Sequence, residues 1–350
     1  MVDDEEDEAS CCSYVRGSGQ RSCCVFDEDE SEMLSDIERG LTPNPDVVCN
    51  QKIKFDKLMK YSLERCGADA LATGHYARTS FGPDLEFYDP IRGVKLMKAR
   101  DLKKDQTFFL SQVQQSALQR TFFPVGGMLK SEVKQLAIDI GLSRLAQKAE
   151  SMGICFIGPR NFQSFISEYV NARDGNFVNL ENGEVVGKHS GVHLWTIGQR
   201  CRIGGLPEPF FVVDKNPATQ DILVVPGENH PALYTLSLFL EKPHWIHSPP
   251  RKLHDCVECA ICSRYGHPSV GCYVSTASGS CLVVQLRVPL RAYGVFYRGE
   301  ECLGSARILR PGPSLFMSDR MKKKKLILDE KDVEFMPIFP GDAGMPSESR

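Results

Sequence analysis

The sequence predicts an α/β fold followed by a β-rich one, and three observations carry that expectation. Between Ile53 and Cys66 the apolar residues Phe55, Leu58, Met59, Leu63 and Cys66 fall on one helical face and stop at Gly67, the usual way for a helix to end. A short apolar run, 68–73, then closes in Gly74-His75, so helix, buried strand and glycine loop succeed one another as an α/β unit. From Asn176 onward the pattern changes to short runs, Phe211 to Val213, Ile222 to Val225, Leu282 to Val288 and Val295 to Tyr297, separated by Gly, Pro and Asn. That spacing is the grammar of antiparallel β structure.

The elements follow in order. Residues 1–32 are acidic, hold Cys11, Cys12, Cys23 and Cys24 and show no apolar period, so they are expected to be a disordered or foreign leader. Order begins near Met33. Val133, Leu136, Ala137 and Ile140 repeat the helical spacing and stop at Gly141, and 161–170 reads as a further amphipathic helix through Phe162, Phe165, Ile166, Tyr169 and Val170. Pro226 and His230-Pro231 mark a boundary inside the β half, and the tail beyond Phe339 is rich in Pro, Gly and Ser and is expected to be unstructured. No internal repeat is visible.

The 350 residues, 42% of them hydrophobic, suffice for two or three cores. No run of about 18 apolar residues is present, so no membrane helix is expected, and the acidic start is unlike a targeting peptide. The formal charge of −3 hides an asymmetry. Twelve acids and two bases lie in the first 36 residues, which leaves the remaining 314 at +7, a balance that permits a polyanionic partner such as RNA. Fourteen cysteines without a secretory signal read as reduced thiols rather than a disulfide framework.

Two thiol segments could carry chemistry. In Thr42-Pro43-Asn44-Pro45-Asp46-Val47-Val48-Cys49-Asn50 the prolines predict a stiff loop that presents a carboxylate three residues before a thiol; taken alone, a turn with a capping Asp and a buried Cys is the plainer reading. In Ser151-Met152-Gly153-Ile154-Cys155-Phe156-Ile157-Gly158 the flanking glycines suit an exposed, mobile nucleophile, although Cys155 could equally be a small core residue. Taken together, one thiol carrying an extra sulfur and a second able to attack it would form a sulfur-transfer pair. Cys256, Cys259 and Cys262, with Cys272 and Cys281 beyond, have metal-like spacing, but a zinc ribbon wants two separated Cys-x-x-Cys pairs, so no metal is expected. Lys103 to Gln106, Gly198-Gln199-Arg200, Arg264-Tyr265 and Lys322 to Lys325 are candidate RNA contacts or plain solvated surface. Arg264-Tyr265 sets a phosphate-pairing group beside a stacking ring.

In sequence order, Thr42 to Asp46 with Cys49-Asn50 and Ile53-Lys54-Phe55, Ala72-Thr73-Gly74-His75-Tyr76-Ala77-Arg78, Lys104-Asp105-Gln106, Phe123-Pro124-Val125-Gly126-Gly127, Gly153 to Gly158 and Thr196-Ile197-Gly198-Gln199-Arg200 closely resemble the tRNA-specific 2-thiouridylases. The resemblance runs from about residue 33 to 310 and is closer to the mitochondrial branch. It implies a truncated Rossmann-like PP-loop ATPase domain of the adenine nucleotide α hydrolase type over 33–158. A small central tRNA-binding domain over 159–228, an antiparallel β-barrel over 229–339 and a disordered tail over 340–350 would follow. It implies an enzyme that replaces O2 of the wobble uridine by sulfur after ATP, with Mg2+, adenylates that oxygen. Cys155 would receive a persulfide from a sulfur-relay partner, Cys49 would attack it and a Cys49–Cys155 disulfide could result, with Asp46 handling protons. Asn44, Pro45, His75, Lys104, Asp105, Gln106, Arg264 and Tyr265 would meet tRNA, and Gly74 would meet ATP. The family name implies a mitochondrial location and no membrane.

The sequence departs from that pattern in two places. The Ser-Gly-Gly-x-Asp-Ser phosphate loop of the family does not precede residue 33, and Gly17-Ser18-Gly19-Gln20-Arg21-Ser22 lacks its aspartate. About a third of the nucleotide domain is therefore expected to be missing, its apolar strand edges exposed and ATP activation lost. Near the end of the barrel, Leu290-Arg291-Ala292-Tyr293-Gly294 stands where the family has Pro-Gly-Gln. A tRNA-binding but inactive form, and a metal-cluster sulfur enzyme built on Cys256 to Cys262, are the alternative readings.

Overall fold

The computed structural model describes residues 34–37, 44–148, 166–251, 253, 256–276, 282–290 and 294–318. The leader, Thr42, Pro43, Cys155 with its glycines, most of the 161–170 helix, Cys281, Arg291 to Tyr293, Lys322 to Lys325 and the tail lie outside them.

After one helical turn at 34–37, a helical stretch runs without a break through α1 (Pro45–Val48), a π-helical segment (Cys49–Leu58) and α2 (Met59–Glu64). It ends where Gly67 takes φ +67, a backbone angle that favours glycine. The expected stiff loop is therefore a helix from Pro45 onward. Asn44 is extended and its Oδ1 accepts a hydrogen bond from the Val47 amide (3.3 Å), while Pro45 stands at the first helical position, where its missing N–H costs nothing. Next come β1 (Leu71–Ala72), β2 (Ala77–Thr79), β3 (Leu96–Lys98), α3 (Thr107–Leu110), α4 (Gln115–Leu118), β4 (Thr121–Phe122), α5 (Lys130–Asp139) and α6 (Ser143–Gln147). β1 pairs in parallel with β4. The expected buried strand is thus two residues long, with Leu71 half-buried and Ala72 exposed, because among the described residues it is paired along one edge only. α5 ends at Gly141 (φ +87) as its spacing predicts, yet its apolar residues are not buried, and Leu136 and Ile140 are 46% and 64% exposed.

The central β unit holds β5 (Gly175–Asn179), β6 (Val185–His189), β7 (Arg200–Cys201), β8 (Phe210–Asn216) and β9 (Asp221–Pro226), in the order β6-β5-β9-β8-β7. Alternating side chains from these strands, Phe177, Phe210, Val212, Ile222 and Val224, close a core with Val192 and Cys201. The last unit holds β10 (Thr235–Leu240), β11 (His244–Trp245), β12 (Val257–Cys262), β13 (Val270–Thr276), β14 (Leu282–Leu290), β15 (Gly294–Arg298), β16 (Glu301–Ala306) and β17 (Ile308–Pro311). Every expected β run falls on one of these strands.

One pairing crosses the two halves of the chain. The sheet runs β17-β10-β14-β13-β12-β15-β16-β3-β2, so the 77–98 hairpin extends the C-terminal sheet through Met97 opposite Glu301 and Leu96 opposite Cys302. The core beneath it is composite. Val47, Phe55, Met59, Leu96, Phe108 and Leu110 pack with Ile246, Cys262, Val295, Tyr297 and Cys302. Gln115 pins the seam: its Oε1 accepts from the Val94 amide (2.6 Å) and its Nε2 donates to the carbonyls of Val94 (2.9 Å) and Ile246 (2.6 Å). Arg307 adds a bidentate pair with Glu241 and a contact to the buried Asp36.

Candidate active site

The helix that starts at Pro45 sets Asp46, Cys49 and Asn50 at positions i, i+3 and i+4, which share one face. From Cys49 the helix is π-helical, a form that is uncommon and often found at functional sites, and the Lys54 charge acts on Asp46. Cys49 is 8% exposed and Asn50 3% exposed. Burial raises the Asp46 carboxyl above its ordinary range, and the Lys54 ammonium works against that. The same two causes, burial first and Lys54 second, push His75 down to about 4, so the imidazole is neutral at physiological pH.

His75 reaches this helix through aromatic packing. Its ring lies 5.7 Å from Phe55 and 6.2 Å from Phe123, and its Nδ1 bonds the Thr73 hydroxyl at 2.9 Å. Gly74, one residue earlier, is exposed, and a Cβ built on it would meet nothing within 4 Å.

Lys104-Asp105-Gln106 lies alongside. Gln106 accepts from the Tyr76 amide through Oε1 (2.9 Å) and donates its own amide to the Tyr76 carbonyl (2.8 Å). Asp105 accepts from the Ala99 amide (2.8 Å) and the Thr107 hydroxyl (2.6 Å), and Thr107 in turn contacts the Tyr297 hydroxyl at 3.2 Å. Burial raises the Asp105 carboxyl and the Tyr297 phenol. The side chains of Gln106 and Asp105, both expected to meet tRNA, are therefore engaged within the chain itself, the first holding the His75 loop and the second the α3 turn. Lys104 is half-buried.

Arg264 and Tyr265 sit in the turn between β12 and β13. The Tyr265 ring packs on Phe109 of α3, centroids 4.5 Å apart, so a chain of contacts links the helix at Phe55 to the His75 loop, that loop to Gln106, and α3 to Tyr265. Cys155 lies outside the described residues. Missing from the expected set were Asn50, Lys54, Phe109 and Tyr297. Asn50 and Lys54 continue the i, i+4 series from Asp46, a signal present in the sequence.

The cysteine-rich strand does not make a cluster. On β12 the side chains alternate, so Cys259 and Cys262 face opposite ways: Cys262 enters the composite core and Cys259 packs on the barrel core opposite Cys272, with sulfurs 3.5 Å apart. Among the described residues no three His, Cys, Asp or Glu groups converge as metal ligands, and no helix is long and apolar enough to cross a membrane. In the central unit, Gln199 accepts from the Thr196 amide (3.0 Å) and Arg200 is exposed.

An α/β domain with a buried thiol and a half-buried carboxyl on one helix is thus joined through a shared sheet and core to a β-rich unit. Comparison with known proteins supplies the class. Residues 26–159 match the family model described as tRNA methyl transferase HUP domain, 163–226 the tRNA methyl transferase PRC-barrel domain and 236–308 the aminomethyltransferase β-barrel domain. The chain is 45% identical over 291 residues to mitochondrial tRNA-specific 2-thiouridylase 1 of Drosophila melanogaster, covering 81% of this chain and 75% of that protein. It is 42% identical over 334 residues to its namesake from Homo sapiens, covering 89% and 79%. Against tRNA-specific 2-thiouridylase MnmA of Alkaliphilus oremlandii it is 40% identical over 284 residues, covering 79% and 74%. The chain belongs to the tRNA-specific 2-thiouridylase family.

Proposed function

We infer that the chain is a mitochondrial tRNA-uridine 2-sulfurtransferase, that Asp46 and Cys49 are its reacting pair on the described helix and that Cys155 is the second thiol. The observation that carries the reading is the helix face itself. It sets a carboxyl raised by burial three residues before a buried thiol, on a helix whose Phe55 packs against a neutral imidazole. A carboxyl raised by burial holds its proton more readily than a free one, which suits a group that exchanges protons beside a reacting thiol. The names of the Drosophila and human relatives support both the activity and the mitochondrial setting.

ATP suits the bare backbone at Gly74. The glycine follows a parallel strand, at the carboxyl end where open α/β sheets hold nucleotides, and its open side leaves room for a close approach. When bound, ATP supplies AMP as the leaving group at O2. The chain's own residues then orient the base and move the proton at Asp46, and Cys49 and Cys155 deliver sulfur taken from a persulfide donor protein. Asn44, Lys104, Arg264 and Tyr265 face tRNA, with Pro45 and His75 packed in the wall behind them, while Asp105 and Gln106 act by holding the loops that carry it.

The test is mass spectrometry of nucleosides from unmodified tRNA incubated with ATP, a persulfide donor and the chain, alone or joined to a Ser-Gly-Gly-x-Asp-Ser strand-loop segment. The inference requires 2-thiouridine from at least one form and none after Cys49→Ser. Product from the chain alone overturns the expected loss of ATP activation. Thiolation by neither form, or a methylated base formed from S-adenosylmethionine, contradicts the inference.

A further inference from the structure

The Asn50 side chain carries an unpaired acceptor in the wall of this site. Its Nδ2 donates to the Asp46 carbonyl at 2.9 Å, and only the amide nitrogen can make that bond, so the orientation of the amide is fixed. The Oδ1 is thereby committed to the other side, where it is buried and has no hydrogen-bond partner. A buried acceptor left unmet is costly, and native chains keep few of them without a reason. Solvent does not explain this one, because the residue is 3% exposed. Asn50 shares its helix face with Asp46 and Cys49, and Cys49 is covered to a similar degree. A base admitted to the thiol has to open that same helix face, and the amide stands on it one turn from Asp46.

The partner such an acceptor needs is an N–H next to the reacting carbon. Uracil has one, N3–H, bonded directly to C2, whereas cytosine has a bare ring nitrogen at that position. We propose that Asn50 reads the target base, its Oδ1 accepting the N3–H of a uracil presented to Cys49. The backbone bond from Nδ2 is the device that keeps the reading oxygen facing the base, and a pyrimidine without the N3 proton leaves the oxygen stranded. This proposal rests on the sulfurtransferase reading but fails separately from it.

The experiment compares equilibrium binding of the full chain to two anticodon stem-loops that differ only in having uridine or 3-deazauridine, which replaces N3–H by C–H, at the target position. The wild-type chain is expected to prefer the uridine loop by about tenfold, the factor for one hydrogen bond whose loss strands a buried acceptor. Asn50→Leu fills a similar volume without the orphan acceptor. It is expected to keep or raise the thermal midpoint and to bind the two loops equally. Equal binding by the wild type, a preference that survives in Asn50→Leu, or a chain that no longer folds with leucine there would each overturn the assignment, the last by showing that the amide serves the fold. Thiolation of natural tRNA by the wild type is scored apart from all three.

Discussion

Replacing His75 by phenylalanine should remove one defined share of the acid sensitivity of the fold, beside those of His189 and His193. The ring sits between Phe55 and Phe123, and burial, helped by the Lys54 charge, lowers its pKa to about 4. An unfolded histidine titrates near 6.5. Below that pH the unfolded chain takes up a proton that the folded chain refuses, so the stabilisation is complete above pH 6.5 and drains away as the pH falls toward 4. Between pH 8 and pH 5 this group alone costs about 2 kcal/mol of stability by linkage. His75→Phe keeps the aromatic packing and forfeits the bond to the Thr73 hydroxyl, a loss of about 1 kcal/mol that does not vary with pH. Urea unfolding of both proteins at pH 8 and pH 5 gives the two differences. The variant should start less stable and overtake or match the wild type at pH 5. Parallel losses in the two proteins would refute the buried, neutral imidazole.

Gln115→Leu strips three hydrogen bonds from the seam and strands the buried backbone groups of Val94 and Ile246; a loss of about 2–4 kcal/mol in urea unfolding is expected. Gly126→Ala places a Cβ into the Ala77 carbonyl oxygen, so it should displace β2 and destabilise by about 2 kcal/mol or more; differential scanning calorimetry reads it, and an unchanged midpoint would contradict the close approach. Tyr297→Phe leaves Thr107 without its phenolic contact, and a cost of about 1 kcal/mol with little change in tRNA affinity is expected; a large affinity loss would move Tyr297 from support to contact.

Local signals in the sequence were legible where chemistry forces the backbone. Gly67 and Gly141 both adopt positive φ at the helix ends their spacing predicts, and the β runs from Phe211 to Tyr297 all lie on strands. Pro45 predicts loop stiffness, although Asn then Pro ahead of a helical series is also a helix start, and the structure resolves the two in favour of the start. The pairing of β3 with β16 had no local signal, because it joins residues about 200 positions apart in the chain. Asp105 and Gln106 look like surface polar groups in sequence; only their partners, Ala99, Thr107 and Tyr76, show that they brace loops. The periodic apolar residues of α5 predict a buried face that the structure leaves exposed. Cys-x-x-Cys spacing lost its meaning once Cys259 and Cys262 were seen on a strand, where a separation of three residues points the thiols apart.

The placement of the substrate can be measured without turnover. An anticodon stem-loop carrying 4-thiouridine at the target position is bound to the chain, irradiated and digested, and the attached peptide is sequenced. Attachment within Asn44 to Lys54, lost when an unmodified stem-loop competes, is the result expected of a base held against the Asp46-Cys49 face. Attachment confined to the central β unit would place the reacting base somewhere else.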